Sequence, residues 1–184
     1  NVTPMRLNLA VSLFTLEQFD DAIEMQQQVV KDYERQYGAD ASKAADARYN
    51  LGLYLARSGR QEAGIEQLER ARAVYAKGDH KVWVAQTDLD ISQIRARTNQ
   101  PEGALETALG ARNMLQRELG RTNLVTLQAS LATVDIMLLL DRDEDAAREA
   151  LEWLPRFQES QGNDAHITAK FELATVRAQL RAGA

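Results

Sequence analysis

The sequence repeats itself with a period of 40 to 43 residues, and no other feature constrains the fold as strongly. Glycines mark the period at Gly38, Gly78, Gly120 and Gly162. Small residues mark it a second time at Ala22, Gly64, Ala104 and Ala147. The tripeptides Asn8-Leu9-Ala10 and Asn50-Leu51-Gly52, which are 42 residues apart, mark it a third time. Self-similarity at a fixed period indicates an array of structural repeats.

Each period contains two helical patterns. After the small residue, apolar side chains recur in steps of three and four, as at Ile65, Leu68, Ala71, Val74 and Tyr75. Such steps place the side chains on one face of a helix. No stretch of useful length alternates with period two, so no strand is predicted. A single helix pair cannot bury its apolar faces alone, and neighbouring pairs must therefore stack.

Residues that end helices lie between these patterns. Asp20, Asn99 and Asp143 are predicted N-caps, because a short polar oxygen accepts an unpaired backbone N–H. The recurring glycines are predicted to end the long helices in the left-handed conformation. Pro155 falls inside a helical pattern, where it removes a backbone hydrogen bond, so we expect a kink near Leu151–Pro155.

Composition excludes several classes of protein. The 184 residues include no cysteine, which rules out disulfides and thiolate metal sites. The net charge of −5 gives no electrostatic case for binding nucleic acid. The longest purely apolar run is Ile136–Leu140, far short of the roughly 20 residues of a membrane span, so no membrane association is predicted. We expect a cytoplasmic protein. Because the first residue is Asn1 and not Met, we also expect a piece of a longer chain.

Loops that contain the recurring glycines carry a family resemblance. The segments Lys77-Gly78-Asp79-His80 and Leu119-Gly120-Arg121-Thr122-Asn123 resemble the loops of tetratricopeptide repeats, in the longer version found in kinesin light chains. The resemblance implies an all-α fold, a right-handed α-solenoid of about four helix–turn–helix repeats plus a C-terminal helix. One departure is Lys81, which stands where the family has proline.

We predict one repeat domain over residues 1–184. Its repeats are expected at 4–40, 41–80, 81–121 and 122–162, followed by a capping or fifth-repeat helix at 164–182.

In this family the first helix of each repeat lines a concave face, where an Asn can hydrogen-bond a bound peptide. The resemblance implies this role for Asn8 and Asn50, with Asp90 at the corresponding place in the third repeat. The predicted peptide-binding groove comprises Asn8, Tyr49, Asn50, Leu53, Arg57, Asp90, Gln93 and Arg97. The alternative is that these side chains bond locally or face water. The lysines with which some family members bind a C-terminal carboxylate are absent, because Leu7 and Gln86 occupy those places.

No catalytic, cofactor or metal site is predicted. The histidines, His80 and His166, lie two repeats apart. The acidic run Asp141–Asp145 resembles a calcium loop, but Ala146 stands where that loop needs glycine, and acidic residues also favour a helix N-terminus. The large aromatic residues are expected in the core; they are Trp83, Trp153, Phe157 and Phe171.

The sequence therefore predicts a non-catalytic scaffold that binds a protein or peptide, within a larger bacterial regulatory or signalling protein. The alternative is a module that senses a ligand or a signalling peptide. The open ends of the array could also pair two copies of the chain, because uncapped repeats expose apolar faces.

Overall fold

The computed structural model describes residues 2–98, 103–159 and 165–183, and every regular element in these ranges is an α-helix. The helices are α1 (Thr3–Thr15), α2 (Phe19–Tyr37), α3 (Ser42–Arg57), α4 (Gln61–Lys77), α5 (Lys81–Ala96), α6 (Ala104–Leu119), α7 (Leu124–Leu139), α8 (Asp143–Glu159) and α9 (Ala165–Ala182). The predicted all-α fold class is confirmed. The predicted repeat limits stay predictions.

The chain divides into two compact units, residues 1–87 and residues 88–184, and the boundary lies inside α5. In the first unit α2 packs against α1 and α3, and α3 packs against α4. Its core is built from small and branched side chains, with Phe14 stacked on Tyr54 at 4.2 Å between ring centroids. The buried Gln26 donates a hydrogen bond to the carbonyl of Ala47, at 2.9 Å, and so joins α2 to α3.

Glycines bring α3 and α4 together at their crossing. A Cβ added to Gly64 would lie 2.7 Å from the carbonyl oxygen of Gly52 and 2.9 Å from the backbone nitrogen of Ala56. A Cβ added to Gly52 would lie 2.9 Å from the carbonyl oxygen of Gly64. Backbone therefore approaches backbone at this point, and the small residues that recur with the period, Ala22, Ala104 and Ala147, are also buried.

We expect Gly64→Ala to destabilise the chain, because the new methyl group meets backbone atoms that cannot move independently. The expected loss is about 1–3 kcal/mol in the free energy of unfolding, measured by urea denaturation. Gly110→Ala is the matched control, because it lies within α6 with no atom within 4 Å of its added Cβ. The control should gain about 0.5–1 kcal/mol from helix propensity alone. If the two substitutions changed the free energy of unfolding equally, the close approach of the α3 and α4 backbones would be contradicted.

A buried tyrosine joins α3 to α4 a second time. The hydroxyl of Tyr75 donates a hydrogen bond to Asp46, with 2.8 Å between the oxygens. Burial is the main reason that the pKa of Tyr75 lies well above its usual value, and the hydrogen bond to Asp46 and the charge of Asp46 add to it. Burial also raises the pKa of Tyr54.

The raised pKa of Tyr75 predicts an alkaline loss of stability. In the unfolded chain this tyrosine ionises near pH 10, whereas in the folded chain it stays protonated to higher pH. The free energy of unfolding should therefore fall above about pH 10, by at most roughly 1.4 kcal/mol per pH unit for this residue. Tyr75→Phe should reduce that slope in denaturation curves taken from pH 9 to 11. Tyr37→Phe, at an exposed position, is the comparison variant.

In the second unit α7 occupies the central place. It packs against α6, α8 and α9, and its buried residues lie on nearly every side of the helix, from Thr126 to Leu138. A helix that is apolar around most of its circumference is buried by several neighbours. Phe157 of α8 and Phe171 of α9 stack at 3.9 Å between centroids and extend this core.

The turns correct several predicted details. Gly38 and Gly120 have the positive φ expected of them, but with extended ψ and not the left-handed value. Gly78 has φ −86°, and Asp79 takes the positive φ in its place, at 56°. A short polar side chain tolerates this region better than most residues do.

The predicted N-caps were also misplaced. Asp20 and Asp143 lie within the first turns of α2 and α8, where their charges favour the helix N-terminus. Asn99 lies outside the described residues. Asn123 was not predicted, yet its side chain accepts a hydrogen bond from the backbone nitrogen of Val125 and caps α7. Helix α8 continues through Pro155 to Glu159, and the kink there stays a prediction.

Candidate functional site

In the first unit, the predicted groove residues of α3 share one face of that helix. Asn50, Leu53 and Arg57 follow one another in steps of three and four. Asn50 is half-buried, Leu53 packs against the core cluster, and Arg57 is exposed at the last turn. These side chains offer an amide, an apolar edge and a guanidinium to the solvent side of α3.

The other two predicted residues of this unit differ in their surroundings. Asn8 is exposed on α1, and its carbonyl oxygen accepts a hydrogen bond from Ser12, at 3.0 Å. Tyr49 is buried, and its ring meets the edge of Trp83 with 6.0 Å between centroids. Asn8 therefore has a side chain open to a ligand, whereas Tyr49 offers little surface.

Trp83 corrects the expectation that it belongs to the core. Its side chain is 44% exposed, and one side of the ring stacks on Tyr75 at 5.7 Å between centroids. Trp153, Phe157 and Phe171 are buried as predicted. Sequence periodicity did not distinguish Trp83 from these three, because all four lie on helices.

In the second unit, Gln93 and Arg97 line a depression of about 130 Å³ together with α7. Gln93 lies on α5, and Arg97 is exposed just beyond the end of that helix. Asp90 is half-buried on α5 and does not line the depression. The residues that α7 contributes are Gln128, Leu131, Ala132, Asp135, Ile136 and Leu139.

A second depression of the same unit lies between Arg97, α7 and α9. Its lining residues are Arg97, Asp135, Leu138, Leu139, Arg177 and Arg181. Arg97 and Asp135 line both depressions, so the two form one surface, which we call the α7 surface.

Sequence reasoning missed the α7 and α9 residues of this surface, although the period locates them. Residues 42 positions after Gln93 and Arg97 are Asp135 and Leu139, and another 42 positions lead to Arg177 and Arg181. Successive first helices thus place equivalent positions on one surface. Extending the predicted groove by one period at a time would have found them.

The α7 surface offers polar groups that can bind a ligand. Its polar groups are amides, guanidiniums and one carboxylate, and Leu139 adds exposed apolar area. Arg181 is held by Asp141 at 2.5 Å, by Asp143 at 3.1 Å and by the carbonyl of Leu138 at 2.9 Å. Within the part of the chain that the structure describes, Arg97 and Arg177 form no ion pair.

Arginines neutralise the acidic run at the start of α8. Asp145 pairs with Arg142 and Arg148, and the hydrogen bond from Arg142 is the main reason that its pKa is lowered. Asp143 pairs with Arg181. Among the described residues, no group of three or more histidines and carboxylates is arranged to hold a metal ion.

Among the ion pairs of the described residues, a well-buried one lies between α6 and α8. Arg112 forms an ion pair with Glu149, and their side chains are 11% and 16% exposed. Glu149 also accepts a hydrogen bond from the indole nitrogen of Trp153, at 2.8 Å. The guanidiniums of Arg112 and Arg121 lie 5.4 and 5.5 Å from the Trp153 ring centroid. Burial is the main cause of the lowered pKa of Arg112. This network joins two helices.

Glu149→Gln should destabilise the chain, because it removes the carboxylate that is paired with the buried guanidinium of Arg112. We expect a loss on the order of 2–3 kcal/mol in the free energy of unfolding, measured by urea denaturation. Glu66→Gln removes the same charge from the exposed Arg70–Glu66 pair of α4, and it should cost less than about 0.5 kcal/mol. If both variants lost a similar free energy of unfolding, burial would add nothing to the stabilisation by the Arg112–Glu149 pair.

Comparison with known proteins agrees with this architecture. The family model described as tetratricopeptide repeat matches residues 3–77. Residues 3–77 are therefore a tetratricopeptide repeat region. Two solved structures of a putative kinesin light chain with nearly identical TPR-like repeats, from Podosopora anserina, are similar to the chain throughout. One has 14% sequence identity and a TM-score of 0.83, covering 98% of this chain and 86% of that one.

The second, a variant of the same Podosopora anserina protein, has 13% identity and a TM-score of 0.84, covering 100% of this chain and 89% of that one. At such identity the likeness concerns the fold alone, an all-α helical repeat solenoid. A search of curated protein sequences finds no match. Tetratricopeptide repeats are generally non-catalytic scaffolds for protein–protein interaction. Across the described residues, no helix is long and apolar enough to span a membrane.

Proposed function

We propose that this chain is a non-catalytic scaffold that binds a segment of a partner protein on the faces of its first helices. The observation that carries the proposal is the α7 surface. Equivalent positions from three successive first helices meet there, and they offer hydrogen-bonding and charged groups beside exposed Leu139. An extended polypeptide needs this mixture, because its backbone requires donors and acceptors while its side chains supply apolar contact.

Charge supports a more specific partner for the α7 surface. Arg97 and Arg177 are exposed and have no ion pair among the described residues, so each can donate to a carboxylate. A charge-assisted hydrogen bond to a guanidinium is among the stronger polar contacts of proteins. The segment that binds here therefore carries an acidic side chain. In the first unit, Asn8, Asn50 and Arg57 stay part of the proposed groove.

The scaffold hypothesis is favoured over a ligand sensor by the form of these depressions. Both are open to solvent and lined by polar and charged side chains together with leucines. A sensor of a small ligand would enclose an apolar pocket. Within this proposal the repeats are the interaction part of a larger bacterial regulatory or signalling protein.

Selection from a phage-displayed library of random peptides on the immobilised chain tests the proposal. We expect enriched peptides with an acidic residue, and binding weakened about tenfold by Arg97→Ala, since one charge-assisted hydrogen bond contributes on the order of 1.5 kcal/mol. Arg117→Ala is the matched control, because it removes an exposed arginine from α6, away from the surface.

Asn50→Ala tests the face of the first unit in the same assay. The groove assignment is wrong if Arg97→Ala and Asn50→Ala both retain every selected peptide with unchanged affinity. Selection of peptides that bind equally to all variants would place the binding surface elsewhere on the chain.

A further inference from the structure

An exposed tryptophan and an exposed carboxylate of the first unit are held by the same buried tyrosine. The ring of Tyr75 stacks on the indole of Trp83 with 5.7 Å between centroids, and its hydroxyl donates a hydrogen bond to Asp46 at 2.8 Å. Helix α3 connects the two groups a second time. Tyr49 lies three residues after Asp46, and its ring contacts Trp83 with 6.0 Å between centroids. Trp83 and Asp46 therefore lie close together on the surface of the first unit.

One face of the Trp83 ring is open to a ligand. Tyr75 covers the other face, and the side chain of Trp83 is nevertheless 44% exposed. Since the stacked face can contribute little to this fraction, most of it comes from the opposite face and the outer edge of the ring. Within the described residues, no cationic side chain lies over this ring. The other tryptophan, Trp153, already has the guanidiniums of Arg112 and Arg121 beside it.

Asp46 can accept further hydrogen bonds and an ionic partner. The hydroxyl of Tyr75 occupies one of its oxygens, and a carboxylate offers about four acceptor positions. Among the described residues Asp46 forms no ion pair. The lysine one helical turn earlier, Lys43, instead donates to the hydroxyl of Tyr37 at 3.2 Å and lies over the Tyr37 ring. The negative charge of Asp46 is therefore available to an external cation.

We infer that Trp83 and Asp46 form a binding site for an arginine side chain of a partner protein. A planar guanidinium stacks on an indole face, where the π-electrons attract the cation, while its N–H groups donate to a carboxylate. The site lies on α3, α4 and α5, with further helices before and after them in the chain, so its exposure is not that of a terminal helix.

The site is continuous with the proposed groove of the first unit. Asp46 precedes Asn50 by four residues and so lies on the same face of α3. A bound arginine would therefore lie at the N-terminal end of that groove. The inference does not rest on the α7 surface, and it assigns the first unit a ligand of the opposite charge.

Titration of the full chain with a short peptide tests the inference, with the indole N–H signals followed in two-dimensional proton–nitrogen NMR spectra. The chain has two tryptophans, and Trp83→Phe identifies the signal of Trp83 by removing it. We expect acetyl-Gly-Arg-Gly-amide to shift the Trp83 signal saturably and to leave that of Trp153 unchanged. The same peptide with citrulline, which keeps the shape of arginine without its charge, should give no saturable shift. A lysine peptide should bind more weakly, because an ammonium group does not stack.

Asp46→Asn tests the carboxylate, because it removes the charge and keeps an oxygen that can accept from Tyr75. It should weaken binding of the arginine peptide about tenfold, since a hydrogen bond to a charged group contributes about that factor. Glu24→Gln is the matched control. It removes the same charge from an exposed position of α2 and should change the affinity less than about twofold at physiological salt. Circular dichroism checks that both variants stay folded.

Equal shifts with the arginine and citrulline peptides would overturn the inference, because the contact would then not depend on charge. Tighter binding of the lysine peptide would overturn the assignment of a guanidinium. Unchanged affinity in Asp46→Asn, an equal loss in Glu24→Gln, or no saturable shift of the Trp83 signal would each overturn it as well. A library selection without acidic peptides would instead reject the acidic ligand of the α7 surface and leave these results unaffected.

Discussion

The contact that most of the first unit depends on is the crossing of α3 and α4, where Gly52 and Gly64 bring two backbones together. Helices that approach so closely leave no space for side chains at the crossing, and their apolar side chains must find partners on either side. Those partners come from the neighbouring helix pair. The pairing of two helices and the stacking of neighbouring pairs thus both follow from one steric constraint. The small residues that recur along the sequence indicate where that constraint acts.

The same constraint arranges the surface. Once first helices are stacked at a fixed period, residues that are one period apart come to equivalent places on neighbouring helices. Gln93, Asp135 and Arg177 are one such series, and Arg97, Leu139 and Arg181 are another. Each series contains different side chains on an equivalent scaffold. Binding specificity can therefore change along the array without any change in the packing beneath it.

The sequence alone was sufficient to predict the helix pairs, because steps of three and four and a recurring small residue are local signals. Gln93 and Arg97 line a depression with α7, and their part in binding a peptide stays a prediction. The sequence was insufficient where neighbours decide the outcome. Nothing local distinguishes exposed Trp83 from buried Trp153, and nothing local indicates that Arg112 and Glu149 meet between α6 and α8. At the turn after α4, Gly78 is the residue best suited to a positive φ, yet Asp79 adopts it.

The boundary between the two units falls inside α5 and not in a loop. An inserted residue at that place would turn all later side chains of the helix by about 100°, which would move buried positions into water. An insertion or deletion at this boundary therefore has to keep the later side chains of α5 on the same faces of the helix. Insertion or removal of a whole helix pair does so without exposing buried residues. At this boundary, such a protein can therefore be lengthened only in steps of a complete pair.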